Sequence, residues 1–143
     1  MSISKIKLEI LIADDDAEDR MLITDALRES KYKDQISQVE NGEELIHFLN
    51  GKSNRRPDLI LLDLNMPKKD GREALKEIKS DKRLKNIPVV VLTTSGSDDD
   101  IEKTYSLGVN SYITKPAGFH DMVDIMNTVC HYWFKISELP QNG

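Results

Sequence analysis

The stretch Leu59-Ile60-Leu61-Leu62-Asp63-Leu64-Asn65-Met66-Pro67 is an apolar run that ends in one carboxylate and then stops at a proline. A strand covered on both faces, as in a parallel sheet between layers of helices, is apolar at consecutive positions in this way. Asp63 therefore follows the carboxyl end of a buried strand. Since open parallel sheets bind their ligands at that edge, Asp63 is a candidate site residue. An Asp that only caps the following turn is the alternative.

The composition favours one soluble, cytoplasmic domain. The chain has 143 residues, enough for a core that needs no disulfide or structural metal. Its formal net charge of −5 argues against direct nucleic-acid binding, which requires a basic face. Cys130 is the single cysteine, so an internal disulfide and a multi-thiolate zinc site are both excluded, as is typical of the cytosol. The sequence contains neither a signal peptide nor an apolar run long enough for a membrane span.

Short apolar segments alternate along the chain with segments in which apolar residues recur every three or four positions. The first kind predicts strands, and the second predicts amphipathic helices. The predicted strands are residues 8–13, 35–39, 59–62, 89–92 and 111–114. The predicted helices are residues 17–30, 42–50, a segment marked by Ala74, Leu75 and Ile78, 97–108, and 119–135.

This alternation predicts an α/β fold, a doubly wound parallel sheet of five strands with five helices. The flavodoxin-like strand order 2-1-3-4-5 is the natural choice for five strands. We expect one domain over residues 1–135. The remaining residues, 136–143, are predicted to be a short C-terminal tail with no output domain.

Polar groups follow four of the five predicted strands. Residues 14–16, all aspartates, come after the first strand, and Asp63 comes after the third. Thr93 follows the fourth, and Lys115 follows the fifth. These groups share one edge of the sheet, where crowded carboxylates favour a bound cation. Oxygen ligands without nearby His or Cys select Mg²⁺. A metal, a cation, a hydroxyl donor and a carboxylate nucleophile together predict a phosphoryl-transfer site.

Each of these groups also has an ordinary interpretation. The acidic triplet could be a solvated helix cap, and Asp16 is expected to be one. Thr93 could be a β-branched strand end, and Lys115 an exposed lysine. The joint arrangement favours a site, because four strands each deliver a compatible group to the same edge.

The strand-end motifs resemble those of the receiver domains of two-component response regulators. The motifs are Asp14-Asp15, Leu62-Asp63-Leu64-Asn65-Met66-Pro67 with Asp70-Gly71, Thr93 after the fourth strand, and Lys115-Pro116. The longer run over residues 63–95 and the aromatic C-terminal segment are similar to single-domain regulators associated with bacterial phytochrome kinases. Thr94 departs from the commoner Ala or Ser, which bears on the rate of phosphoryl loss.

The resemblance implies a metal site and a phosphoryl acceptor. Asp63 would attack the phosphorus of a phosphohistidine on a sensor histidine kinase. Asp15 and Asp63 would bind Mg²⁺, or Mn²⁺ in its place, together with the backbone carbonyl of Asn65. Asp14 would reach the metal through water.

The resemblance also implies a switch. Lys115 would pair with a phosphoryl oxygen, and Thr93 would move to hydrogen-bond another. That shift would let Tyr112 turn inward and reshape the face made by the fourth helix, fifth strand and fifth helix. Tyr112 as a plain core aromatic is the alternative.

Two other function classes compete with this interpretation. A Mg²⁺-dependent phosphohydrolase with an Asp nucleophile needs a second acid two residues after it, and Asn65 occupies that position. A flavodoxin-like nucleotide or flavin module needs a phosphate-cradling loop after the first strand, where residues 14–16 would repel phosphate.

The C-terminal segment predicts self-association. Its apolar residues are Tyr132, Trp133, Phe134, Ile136 and Leu139. One helix face cannot bury them all, and exposed aromatics commonly mark a partner surface. A symmetric homodimer through the fourth helix, fifth strand and fifth helix is therefore expected. A monomer whose tail folds back over these rings is the alternative.

Overall fold

The computed structural model describes residues 8–30, 35–52 and 55–140. Within these ranges the strands are β1 (Glu9–Ala13), β2 (Gln35–Val39), β3 (Leu59–Leu62), β4 (Val89–Thr93) and β5 (Ser111–Thr114). All paired strands are parallel, in the order β2-β1-β3-β4-β5. The predicted doubly wound sheet and its strand order are therefore confirmed.

The helices are α1 (Ala17–Arg28), α2 (Gly42–Asn50), α3 (Gly71–Ser80), α4 (Asp98–Ser106) and α5 (Phe119–His131). Four of them begin at a polar side chain that accepts backbone N–H groups of the first turn. These caps are Asp16, Asn41, Asp70 and Ser97. Such caps satisfy donors that have no partner within the helix. At the other end of α4, Gly108 adopts a φ of 103°, which only glycine adopts without cost.

The end of the last helix differs from the sequence prediction. The single helix predicted over residues 119–135 is wrong at its end, because α5 stops at His131 and a π-helical turn, Tyr132–Ile136, follows. The Ser137 amide donates to the Tyr132 carbonyl at 2.7 Å, five residues back. A turn this wide lets the consecutive rings of Trp133 and Phe134 both pack on the core.

The core has two layers, one on each face of the sheet, which explains the unbroken apolar run of β3. Leu59 and Leu61 pack on the face covered by α1 and α5, and Ile60 and Leu62 pack on the face covered by α2 and α3. Each buried Leu or Ile side chain contributes about 1.5–3 kcal/mol by leaving water. Cys130 of α5 lies in the first layer, and burial raises the pKa of its thiol to about 12. No helix within the described ranges is long and apolar enough to cross a membrane.

Gly71 allows α3 to begin directly against the exit of β3. Its amide donates to the Leu64 carbonyl at 2.9 Å. A Cβ atom at this position would collide with the Asp63 carbonyl oxygen and lie 2.6 Å from the Leu64 Cα atom. The atoms contacted belong to the backbone, so they cannot rotate away as a side chain could. A larger residue at this position would therefore displace the backbone at Asp63.

Gly71→Ala should therefore destabilise the protein by about 1–3 kcal/mol, because the added methyl group forces the backbone after β3 to move. Urea unfolding measures this change. The matched control is Gly96→Ala, whose Cβ would meet only the Thr114 hydroxyl at an ordinary 3.7 Å. We expect the control to change stability by less than about 0.5 kcal/mol. Equal effects in the two variants would contradict the close approach at Gly71.

Candidate functional site

The carboxyl edge of the sheet gathers the predicted groups at the ends of β1, β3, β4 and β5. The Asp63 amide donates to the Ala13 carbonyl at 2.9 Å, so the backbone pairing of β1 and β3 continues to the site. The Lys115 amide likewise donates to the Thr93 carbonyl at 2.7 Å, beside β4. These bonds hold the side chains of Asp14, Asp63, Thr93 and Lys115 at one edge.

Three carboxylates form a cluster that could hold a metal ion. Ligand oxygens of Asp14, Asp15 and Asp63 all lie within 4.8 Å of one another. Asp14 and Asp63 are 1% and 6% exposed, whereas Asp15 is exposed to solvent. Asp16 does not join them, because its side chain caps α1 by accepting the amides of Glu18 and Asp19. The carboxylate chemistry fits a hard divalent cation.

The Lys115 ammonium lies among the carboxylates. Its Nζ atom is 2.7 Å from Asp14 Oδ2, 2.7 Å from Asp19 Oδ2 and 3.3 Å from Asp63 Oδ2. Burial acts to lower the pKa of Lys115, but the hydrogen bonds and charges of Asp14, Asp19 and Asp63 outweigh it and raise that pKa. Lys115 is therefore a permanent cation at the site.

Asp19 is a site neighbour that the sequence prediction missed. In the sequence it is simply an acid in the first turn of a helix, where the dipole favours a negative charge. Its position in the turn that follows the acidic triplet could have indicated this contact, since that turn begins at the same edge of the sheet.

The two oxygens of Asp63 have different partners. The Thr93 hydroxyl donates to Oδ1 at 2.8 Å, and the Asn65 amide donates to the same oxygen at 3.3 Å. Lys115 contacts Oδ2. Thr93 is completely buried, so its hydroxyl bonds the carboxylate rather than solvent. A hydroxyl and an ammonium therefore flank the carboxylate that the sequence singled out.

Asp14 has a raised pKa. That pKa is raised from 3.8 to about 6, and burial is the largest cause. The charge of Asp63 acts in the same direction, and the hydrogen bonds from Lys115 and the Asp16 amide, with the charge of Lys115, act against it. A buried acid with a raised pKa beside another carboxylate is the arrangement that a bound cation stabilises.

Tyr112 reaches from β5 into the loop between β4 and α4. Its hydroxyl donates to the Ser95 carbonyl at 2.7 Å, and its half-buried ring packs against the core layer under α2 and α3. Burial raises the pKa of the phenol, so Tyr112 is a neutral donor. The Ser95 hydroxyl in turn donates to Asp100, which also pairs with Arg72. The sequence interpretation attached no role to these last two residues.

At this edge of the fold three carboxylates cluster, and one of them, Asp63, is also contacted by a hydroxyl and an ammonium. Comparison with known proteins identifies the class of protein that has this arrangement. The family model for the response regulator receiver domain matches residues 10–127. The chain belongs to the response regulator receiver domain family. The resemblance drawn from the strand-end motifs is thereby confirmed.

Individual proteins place the chain more narrowly. Response regulator Rcp1 of Synechocystis sp. is 40% identical over 135 residues, covering 92% of each chain. The structure of phosphorylated RcpA, a cyanobacterial phytochrome response regulator, matches with a TM-score of 0.89 at 44% identity, over 95% of this chain and 100% of that one. The Mn²⁺-bound form of Rcp1 matches with a TM-score of 0.86 at 40% identity, over 94% and 99% of the two chains. The chain is thus similar to phytochrome response regulators, and the phosphohydrolase alternative is not favoured.

Proposed function

We propose that this response regulator accepts a phosphoryl group on Asp63 from a phosphohistidine of a sensor histidine kinase. The observation that carries the proposal is the position of the Asp63 carboxylate. It belongs to the cluster of three carboxylates, and its two oxygens are contacted by the Thr93 hydroxyl and the Lys115 ammonium. Phosphoryl transfer is catalysed mainly by positioning of the reacting groups and by electrostatic stabilisation of the transferred group.

The proposed metal is Mg²⁺, with Mn²⁺ able to replace it. Asp15, Asp63 and the backbone carbonyl of Asn65 would hold it, and Asp14 would contribute through water. The existence of a Mn²⁺-bound form of Rcp1 supports binding of a divalent ion, and the carboxylate cluster is its candidate site. When bound, the ion supplies positive charge to the oxygens of the phosphoryl group.

In the proposed step, an Asp63 oxygen attacks phosphorus while the phosphorus–nitrogen bond to the kinase histidine breaks. The electron pair of that bond returns to the imidazole nitrogen, and a mixed anhydride forms on Asp63. Lys115 and Thr93 contact the carboxylate before transfer and would donate to phosphoryl oxygens after it. The protein would catalyse only its own phosphorylation and dephosphorylation. Thr94, which is exposed, would influence the rate of dephosphorylation.

We propose that output uses the face made by α4, β5 and α5. Thr93 and Tyr112 would form the switch, since Thr93 touches Asp63 and Tyr112 contacts the loop that follows Thr93. The division into a receiver over residues 1–135 and a tail over 136–143 stays a prediction. So do the cytoplasmic location and the absence of nucleic-acid and membrane contacts.

The proposal is tested by incubating the protein with Mg²⁺ and acetyl phosphate and then measuring its intact mass. We expect the mass to increase by one phosphoryl group, located on the peptide that contains Asp63. No increase is expected when EDTA is present from the start. Release of inorganic phosphate that continues unchanged in Asp63→Asn would contradict acceptance of the phosphoryl group on Asp63. A screen of sensor histidine kinases, starting with those of the phytochrome type, identifies the physiological donor.

We further propose a homodimer through the α4-β5-α5 face and the C-terminal aromatic segment, residues 132–139. Tyr132 and Ile136 in the π-helical turn are 49% and 59% exposed, which supports a partner surface. Trp133 and Phe134 pack on their own domain, and Leu139 lines a small cleft with Pro57 and Pro88 at the opposite end of the sheet. The monomer alternative therefore also has support.

Ile136→Glu should weaken the dimer at least about tenfold, because it places a charge in an apolar contact. Phe134→Glu is expected to act in the same direction, but Phe134 also packs on its own core. Met21→Glu is the matched control, since Met21 is 65% exposed on α1, outside the proposed face. Light scattering over a concentration series, before and after phosphorylation, measures the mass. A constant monomer mass in both states would exclude the dimer.

A further inference from the structure

An ion pair joins the first turns of α3 and α4. Arg72 donates to Asp100 Oδ1 through Nε at 3.0 Å and through Nη2 at 2.8 Å. The other oxygen of Asp100 accepts the Ser95 hydroxyl at 2.7 Å. We name the chain of contacts from Arg72 through Asp100 to Ser95 the α3–α4 link.

The link continues to the proposed switch. Ser95 is held through its hydroxyl by Asp100 and through its backbone carbonyl by the Tyr112 hydroxyl, at 2.7 Å in both cases. Ser95 lies two residues after Thr93, whose hydroxyl donates to Asp63. The loop after β4 is therefore held between α3, α4 and β5.

The shorter bonds of Arg72 are the tertiary ones: its Nε and Nη2 atoms lie 3.0 and 2.8 Å from Asp100, whereas Nη1 lies 3.4 Å from Asp70, the cap of its own helix. A cation in the first turn of a helix lies at the positive end of the helix dipole, which costs about 0.3–1 kcal/mol. Arg72 remains there with its side chain 31% exposed, and that of Asp100 is 16% exposed. The Ser95 hydrogen bond and Arg72 hold the pKa of Asp100 below its ordinary value, so the pair is ionised at neutral pH. A half-buried network of this kind is stronger than an exposed ion pair.

We propose that Arg72 and Asp100 are positioning residues, which hold the Ser95 carbonyl where the Tyr112 hydroxyl reaches it. Through the α3–α4 link, the start of α3 sets the position of the loop that connects Thr93 to α4. Tyr112 is thereby favoured in its inward position before any phosphoryl group arrives. The role of this contact in signalling rests on the function proposed above, but the contact itself exists without phosphorylation.

A double-mutant cycle on the unphosphorylated protein tests the link. Arg72→Met, Tyr112→Phe and the double variant are compared by urea unfolding. Arg72 and Tyr112 make no hydrogen bond to each other. If each residue stabilised the fold independently, their effects on the free energy of unfolding would add. We expect the increase in the unfolding equilibrium constant of the double variant to be at least about threefold smaller than the product of the two single increases. Asp100→Ala with Tyr112→Phe gives a second cycle should Arg72→Met fold poorly.

The control cycle combines Lys103→Met with Tyr112→Phe. Lys103 pairs with Asp99, the neighbour of Asp100 on α4, at 3.1 Å, and both side chains are exposed. Additive effects are expected there. Additive effects in the Arg72 and Asp100 cycles as well would overturn the proposal.

A second measurement reports directly on Tyr112. In protein with ¹³C-labelled tyrosine, Asp100→Ala should shift the Tyr112 ring resonances, and the adjacent Asp99→Ala should leave them unchanged. Unshifted resonances in Asp100→Ala would overturn the proposal. Neither experiment uses phosphorylation, so a protein that shows the coupling but takes no phosphoryl group would refute the proposed function and leave the α3–α4 link standing.

Discussion

Asp63→Asn is expected to abolish phosphorylation by acetyl phosphate while the fold is retained. The amide that replaces the carboxylate is not a nucleophile toward phosphorus, and it removes one of the three carboxylates of the candidate metal cluster. Neighbouring Asp14 and Asp15 cannot substitute, since only Asp63 is placed between Thr93 and Lys115. The expected loss of label is therefore complete rather than partial.

The stability of this variant should stay level or rise. Asn is isosteric with Asp, so its side-chain oxygen can still accept the Thr93 hydroxyl. Lys115 loses its longest contact, at 3.3 Å, and keeps both 2.7 Å contacts, to Asp14 and Asp19. Removal of one negative charge from a crowded cluster also reduces repulsion. We expect a change between about zero and 1 kcal/mol in the stabilising direction.

Intact-mass spectrometry and urea unfolding measure the two expectations on the same sample. Asp99→Asn is the control, because Asp99 is an exposed acid on α4 and should be labelled as wild type is. Label that persists on the peptide containing residue 63 would refute the assignment of the acceptor. An unfolded Asp63→Asn protein would refute the view that this carboxylate serves function at the expense of stability.

The fold and most of the site were predictable from the sequence because their signals are local. The run before Asp63 is apolar at every position, which only a doubly covered strand explains, and glycines and capping residues mark the helix ends. Strand order then brought Asp14, Asp63, Thr93 and Lys115 to one edge, because carboxyl ends of parallel strands share it.

The contacts that the sequence did not reveal depend on how helices pack. Asp19 and Asp100 each lie in a first helical turn, where the dipole already accounts for an acid, and no local signal points to their partners Lys115 and Arg72 on other elements. The π-helical turn was missed for a similar reason. A 3.6-residue period fits Met122 through Val129, and the wider turn is set by packing of consecutive aromatic rings on the core.

Mg²⁺ should stabilise the protein, and Asp15→Ala should remove that response. A ligand that binds only the folded state adds about 2.7 kcal/mol at a hundredfold excess over its dissociation constant. Asp15 is exposed, so its removal should leave the fold intact while it deletes one oxygen ligand from the cluster. Lys115→Ala should keep the Mg²⁺ response, since the carboxylates remain, but lose signalling.

Thermal melts in Mg²⁺ and in EDTA measure the response, and Asp121→Ala, which removes an exposed acid on α5, serves as the control. The control should respond to Mg²⁺ as wild type does. If Mg²⁺ acted only on the acidic surface in general, the Asp15→Ala and Asp121→Ala variants would respond alike. An Asp15→Ala protein that gains as much stability from Mg²⁺ as wild type would remove Asp15 from the metal site. Since Asp15 is the exposed member of the cluster, that result would move the ion toward the buried pair of Asp14 and Asp63, beside Lys115, where its charge would compete directly with the ammonium.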